Sequence, residues 1–190
     1  MNIANAKNRG YSKIKSASCA FDFDFKNKIV LDIGSSTGGF TEYALEQGAK
    51  KVIAIEKGRG QMKSPLRNDP RIELHEKTDI FDVRIPPSEG IQIILADVSF
   101  ISLTKILFYA KKHLANKDTE FLVMLKPQFE ARPEDLNRGV VKNETIRRKL
   151  IKNFETWLRS NGFVIINKKD NTLQGRHGNL ERFYLLHLAK

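Results

Sequence analysis

At 190 residues the chain is the size of one domain, and 41% hydrophobic residues are enough for a continuous core, which excludes a disordered chain. Its 33 Lys and Arg outnumber 22 Asp and Glu, and the net charge of +11 attracts polyanions, nucleic acid before an anionic membrane surface. No apolar run exceeds five residues, far short of the roughly 20 that cross a bilayer.

The first twenty residues carry Lys7, Arg9, Lys13 and Lys15 with no unbroken apolar stretch behind them, so they do not read as a secretory signal. Cys19 is the sole cysteine, with no partner for a disulfide or a Cys-rich metal site. A cytoplasmic protein with no metal and no integral membrane association is expected.

Taken in order, the segment 1–27 reads as a basic N-terminal extension with a helix around Lys13. Short apolar runs follow, too short for helices and fit for buried strands: Lys28–Ile33, Lys51–Glu56, Ile72–His75, Ile91–Asp97 and Phe121–Lys126. Gly39–Gln47, Gln61–Arg67 and Ser102–Leu114 between them have helical spacing. Alternating strands and helices predict a parallel sheet covered on both faces, a Rossmann-like α/β three-layer sandwich. A polar loop with Pro127, Pro133 and Gly139 leads to an amphipathic helix over Glu144–Ser160, closed by Gly162. The last two strands, Phe163–Lys168 and Leu180–Leu188, are joined too closely for a crossover helix, which predicts an antiparallel hairpin. That makes seven strands, mostly parallel, in a single unit spanning 1–190.

The run Val30-Leu31-Asp32-Ile33-Gly34-Ser35-Ser36-Thr37-Gly38-Gly39-Phe40 passes from strand to turn to helix. Its glycines let the backbone approach a ligand at the sheet edge where open α/β folds bind. Glu56 ends the second strand at the neighbouring edge, where a carboxylate can accept both hydroxyls of a ribose. Thr78 and Asp79, after the third strand, are within reach of an adenine edge. The glycine spacing does not match G-x-G-x-x-G, and no Gly-Lys-Ser/Thr follows for a phosphate loop. Asp32 before such a turn is more typical of S-adenosylmethionine enzymes, where it meets the ligand's amino group directly or through water. The cofactor-binding set is Asp32, Gly34, Ser35, Ser36, Gly38, Gly39, Phe40, Glu56, Asp79 and Asp97.

Asp97 ends the fourth strand and Lys126 the fifth. Adjacent parallel strands set them side by side at the edge of the glycine turn, and an ion pair bordering an apolar sheet is costly unless something uses it. Together with Lys13 and Glu181, these residues resemble the Lys-Asp-Lys-Glu tetrad of the FtsJ-like ribose 2′-O-methyltransferases. Longer words are similar to the TlyA branch: Arg9-Gly10 before Lys13, Gly58-Arg59-Gly60-Gln61, Asp97-Val98-Ser99-Phe100-Ile101-Ser102-Leu103, Leu125-Lys126-Pro127-Gln128-Phe129-Glu130, Arg138-Gly139-Val140-Val141 and Gly178-Asn179-Leu180-Glu181. The resemblance implies a seven-stranded methyltransferase sandwich with its last strand reversed, S-adenosylmethionine as cofactor, and ribosomal RNA or a ribosomal subunit as partner, methylated on a cytidine 2′-hydroxyl.

A ribose hydroxyl is a poor nucleophile, and attack on a sulfonium methyl needs alignment and loss of the hydroxyl proton. Burial and a second ammonium, that of Lys13, favour a neutral Lys126 amine, and Asp97 opposes that shift. In the expected assignment Lys126 accepts or directs the hydroxyl proton, Asp97 and Glu181 orient the two lysines, and Lys13 steadies the ribose or an adjacent phosphate.

TlyA-type proteins carry an S4-like RNA-binding module ahead of this domain, and the present sequence starts at the basic helix. RNA affinity is therefore expected from a partner or from the domain's own surface: Lys7, Arg9, Lys13 and Lys15 at one end, Arg147, Arg148, Lys149 and Lys152 on the late helix. Little aromatic interleaving accompanies either cluster, so base stacking is not predicted. Two rival readings are a non-catalytic cofactor-binding assembly factor and, from the hemolysin name attached to the TlyA branch, a membrane-active toxin, against which the short apolar runs argue.

Overall fold

Alternate residues of the apolar strands turn to opposite faces of one sheet, so every central strand must be covered twice. The computed structural model describes residues 8–171, 173 and 178–189, which leaves Lys7 of the N-terminal basic cluster outside the described residues. Strands β1 (Ile29–Ile33), β2 (Lys51–Glu56), β3 (Ile72–Glu76), β4 (Ile93–Ala96), β5 (Glu120–Leu125), β6 (Phe163–Asp170) and β7 (Arg182–Leu188) form a seven-stranded sheet in the order β3-β2-β1-β4-β5-β7-β6. β1 to β5 pair in parallel, while β7 runs antiparallel to β5 and β6, as the short final connection predicted.

Helices α1 (Arg9–Phe21) and α2 (Gly39–Glu46) cover one face with Ile14, Ala17, Phe40 and Tyr43 against Val30, Val52, Leu95, Leu122, Met124 and Phe183. Helices α3 (Leu103–His113) and α4 (Glu144–Ser160) cover the other with Ile106, Leu107, Ile151, Phe154 and Leu158 against Leu31, Ile53, Ile94, Phe121, Val123 and Tyr184. Leu122 and Val123, neighbours in the chain, belong to different cores, and that is what a strand buried on both sides requires.

Local chemistry sets the helix starts. Asn8 accepts the backbone N–H of Tyr11 at 2.9 Å, Ser102 that of Thr104 at 3.2 Å, and Asn143 those of Thr145 and Ile146 at 2.9 and 3.3 Å. One expected helix is absent: 61–65 is turns and bends, followed by a single 3₁₀ turn over Leu66–Asn68. Pro65 lacks an N–H and disfavours helical backbone at the residue before it, which breaks the pattern despite its apolar spacing.

The chain moves from β1 outward to β2 and β3, then returns to place β4 on the other side of β1. The crevice for ligands in such a sheet lies where the order reverses, between the carboxyl ends of β1 and β4.

Candidate active site

Gly34 and Asp97 stand at that switch point. Asp97 N–H donates to Ile33 O at 3.2 Å, and a Cβ on Gly34, whose φ is +83°, would sit 2.9 Å from the Asp97 carbonyl oxygen. Only glycine allows the two loops this approach. Gly39 serves packing as well as the turn: a Cβ there would strike the Asn8 side chain and Tyr11 N, so the residue lets α1 dock on α2. Gly38, at φ +89°, faces Met62 and Leu66.

Two cavities open along the carboxyl edge. The first, about 610 Å³, takes walls from α1 and the loops after β1, β4 and β5; Lys13, Gly34, Ser35, Ser36, Gly39, Phe40, Asp97, Lys126 and Glu181 all line it. The second, about 730 Å³, lies over β2 and β3 and is lined by Glu56, Thr78, Asp79, Ile80, Val98 and Ile101. They share Gly34, Ser36, Gln61, Asp97, Ser99 and Phe100, so a ligand in one abuts a ligand in the other.

Asp32 lies beneath the turn, fully buried, and lines neither cavity. Thr41 Oγ1 donates to its Oδ2 at 2.6 Å, while Oδ1 is buried with no hydrogen-bond partner among the described residues. Burial pushes this carboxyl up to about 7, with the Thr41 hydroxyl opposing and the nearby Asp97 and Glu56 charges adding to the rise. Ser35 Oγ is likewise buried and unpartnered among the described residues.

Glu56 already works for the turn. It accepts Ser36 N–H at 2.8 Å, Gly58 N–H at 2.6 Å and the Gln61 amide at 3.1 Å. A carboxylate offers about four acceptor positions, so capacity remains for a sugar hydroxyl. Asp79 accepts from Lys57 Nζ at 2.9 Å and from Phe81 N–H at 3.2 Å, and its carboxyl is held below the usual range first by the Lys57 hydrogen bond.

The four candidate catalytic side chains stand as two ion pairs. Lys126 Nζ lies 2.5 Å from Asp97 Oδ1 and donates to Ser99 Oγ at 2.9 Å. Lys13 Nζ donates to Glu181 Oε2, and these side chains are only 8% and 3% exposed. Register ties the pairs together: Leu125 is paired with Arg182 across β5 and β7, so Lys126 and Glu181 face each other one step further along. The expected last strand began at Leu180, whereas β7 begins at Arg182 and leaves Glu181 on the connecting segment at the sheet edge.

Sequence reasoning passed over several cavity residues. Phe100 is 91% exposed at the junction of the two cavities, 5.0 Å from the Phe129 ring, so an aromatic platform exists where none was expected. Its signal was a large apolar residue just past the strand end, among polar neighbours. Arg147 was assigned to a basic RNA-facing cluster; it is buried and pairs with Asp170 at 2.7 Å, leaving Arg148, Lys149 and Lys152 exposed on that helix. A helical face cannot be told from a buried ion pair by spacing alone.

A glycine turn at the switch point, an acid ending β2 and a reversed seventh strand define the chain as a class I methyltransferase fold. The residues fit S-adenosylmethionine: the unpartnered Ser35 hydroxyl in the first cavity's wall suits an amino group, the unpartnered Asp32 oxygen beneath the turn suits a bridging water, and Glu56 with the apolar Ile80, Val98 and Ile101 suits an adenosine. Residues 6–188 match the FtsJ-like methyltransferase pattern, and the chain belongs to that family.

It is 37% identical over 187 residues to Hemolysin A of Brachyspira hyodysenteriae, covering 94% of this chain and 75% of that protein. It is 36% identical to the 23S rRNA (cytidine-2′-O)-methyltransferase TlyA of Campylobacter jejuni, covering 93% and 68%. A solved protein from Lactococcus lactis with a provisional hemolysin name superposes with a TM-score of 0.90 at 30% identity, covering 96% of this chain and 89% of that one. The chain spans 64% of the length of a further curated relative, from Bacillus subtilis, to which it is 35% identical.

Proposed function

We propose that the chain is a methyltransferase that uses S-adenosylmethionine to methylate a ribose 2′-hydroxyl of ribosomal RNA, with cytidine as the nucleoside by kinship with the TlyA relatives. One observation carries the reading: Lys13, Asp97, Lys126 and Glu181 line one cavity that meets the adenosine-like cavity at Asp97 and Gly34. The chain acts as one catalytic unit in the cytoplasm, on free RNA or an assembled subunit.

When bound, the cofactor supplies an electrophilic methyl carbon on a sulfonium. The chain's part is to hold an oxygen in line with that carbon and to remove a proton as the C–O bond forms and the methyl C–S bond breaks, the electron pair leaving with the thioether sulfur. Lys126 accepts or directs that proton, and Asp97, in contact with its Nζ, keeps the amine aimed at the junction of the cavities. Lys13, fixed by Glu181, steadies the ribose or a neighbouring phosphate from the α1 side. Phe100 offers its ring to a nucleobase at the same junction.

A hemolytic role has a relative's name behind it, but among the described residues no helix is long and apolar enough to cross a membrane. The deciding experiment incubates the protein with ribosomal subunits and labelled cofactor and maps 2′-O-methyl marks on the RNA. A mark at a cytidine is expected. Binding of cofactor and RNA without transfer would favour a non-catalytic assembly factor and overturn the reading.

A further inference from the structure

The loop between β5 and α4 contains a tight turn the proposed chemistry does not use. Asn137 and Val140 bond reciprocally through their backbones, at 2.8 and 3.0 Å, around Arg138 and Gly139. Both central residues have positive φ, +50° and +79°. Two-residue turns of this form favour Asn, Asp or Gly at the first central position, because a Cβ crowds the backbone there. Arginine is a poor choice for the turn, and a strained residue at a cavity directs attention to its side chain.

The turn is latched. Buried Asn179 donates its amide to Gly139 O at 3.0 Å and accepts Val141 N–H at 3.2 Å, two residues ahead of Glu181. Arg138 lines the first cavity with Arg9 from α1. Among the described residues neither makes an ion pair, and nor do Arg59 and Arg84, which line neither cavity, whereas Arg67, Arg71, Arg132, Arg147, Arg148, Arg159 and Arg182 all have carboxylates within 4.0 Å. A guanidinium at a cavity wall without a carboxylate is free to take a planar oxyanion from outside.

We infer that Arg138, presented by the Asn179-latched turn in the wall of the cavity that Arg9 also lines, binds a backbone phosphate of the RNA flanking the target ribose. This deepens the methyltransferase reading and rests on it for the identity of the polyanion. The contact is electrostatic and blind to sequence, so it governs RNA affinity and leaves cofactor affinity alone.

The test is filter binding of the 190-residue protein to radiolabelled 23S ribosomal RNA at about 50 to about 200 mM salt, a range over which phosphate contacts show as slope. Arg138→Gly removes the guanidinium while giving the backbone the residue it prefers, so thermal stability holds. Lys112→Ala removes one exposed charge at the opposite end of α3 and serves as control. The expected result for Arg138→Gly is roughly tenfold weaker RNA binding and a salt slope shallower by about 0.7–0.9, with calorimetric cofactor affinity and melting temperature unchanged. Equal losses in both variants, no loss in Arg138→Gly, or a wild-type protein that does not bind the RNA would each overturn the inference. A wild-type protein that binds this RNA but never methylates it overturns the proposed function instead and leaves the Arg138 comparison intact.

Discussion

Lys13 of α1 and Glu181 ahead of β7, 168 residues apart in the chain, form a buried ion pair in the wall of the first cavity. Taking both charges from water costs several kcal/mol, and attraction offsets this only while both partners are present. Glu181→Ala is expected to lower unfolding free energy by about 3 kcal/mol, and the Lys13→Met/Glu181→Leu double variant to recover most of it. Urea denaturation measures both. A loss below about 1 kcal/mol in the single variant would mean the pair is effectively solvated. Methyl transfer should be absent in both proteins, because stability returns in the double variant without the groups that hold the ribose.

Lys126→Ala should abolish methyl transfer to ribosomal subunits while cofactor affinity stays within a few fold, since Lys126 lines the first cavity and not the second. Labelled-methyl counting paired with isothermal titration separates the two. Undiminished transfer in the variant would remove Lys126 from the chemistry.

Glu56→Ala should weaken cofactor binding by more than tenfold. The substitution takes away an acceptor for ribose hydroxyls and also releases Ser36 N–H, Gly58 N–H and the Gln61 amide that shape the turn. Each charge-assisted bond of this kind contributes about 1.5–3 kcal/mol. An unchanged dissociation constant by calorimetry would count against both roles.

Asp32 makes stability depend on pH with a definite sign. Its carboxyl rises from 3.8 to about 7 on folding, so the folded protein holds a proton the unfolded chain releases. The contribution is fully present below the unfolded value and is lost as pH increases through about 7, at most about 4 kcal/mol. Denaturation across this range should show the wild type falling relative to Asp32→Asn. Parallel pH profiles for the two proteins would place the Asp32 titration elsewhere.

Much of the fold was legible because the determinants are local. Ile93 to Ala96 and Phe121 to Leu125 are apolar at consecutive positions, and only a strand covered on both faces buries such a run. The reversed final strand followed from the shortness of its connection. Gln61–Arg67 misled because apolar spacing says nothing of the missing N–H at Pro65, and Arg147 misled because its partner Asp170 comes from a different element.

By itself the sequence determined the strands and most of the helices, the glycine turn and the acids at or beside the carboxyl ends of β1, β2 and β4, since each depends on residues within a few positions of one another. Only the tertiary structure decided that Lys13 meets Glu181, that Arg147 is buried, that Phe100 stands exposed between two cavities, and that Asn179 latches the Arg138 turn. Those are contacts between elements far apart in the chain. They come into being when apolar faces pack and the sheet register sets which side chains share an edge, and no periodicity along the chain encodes that geometry.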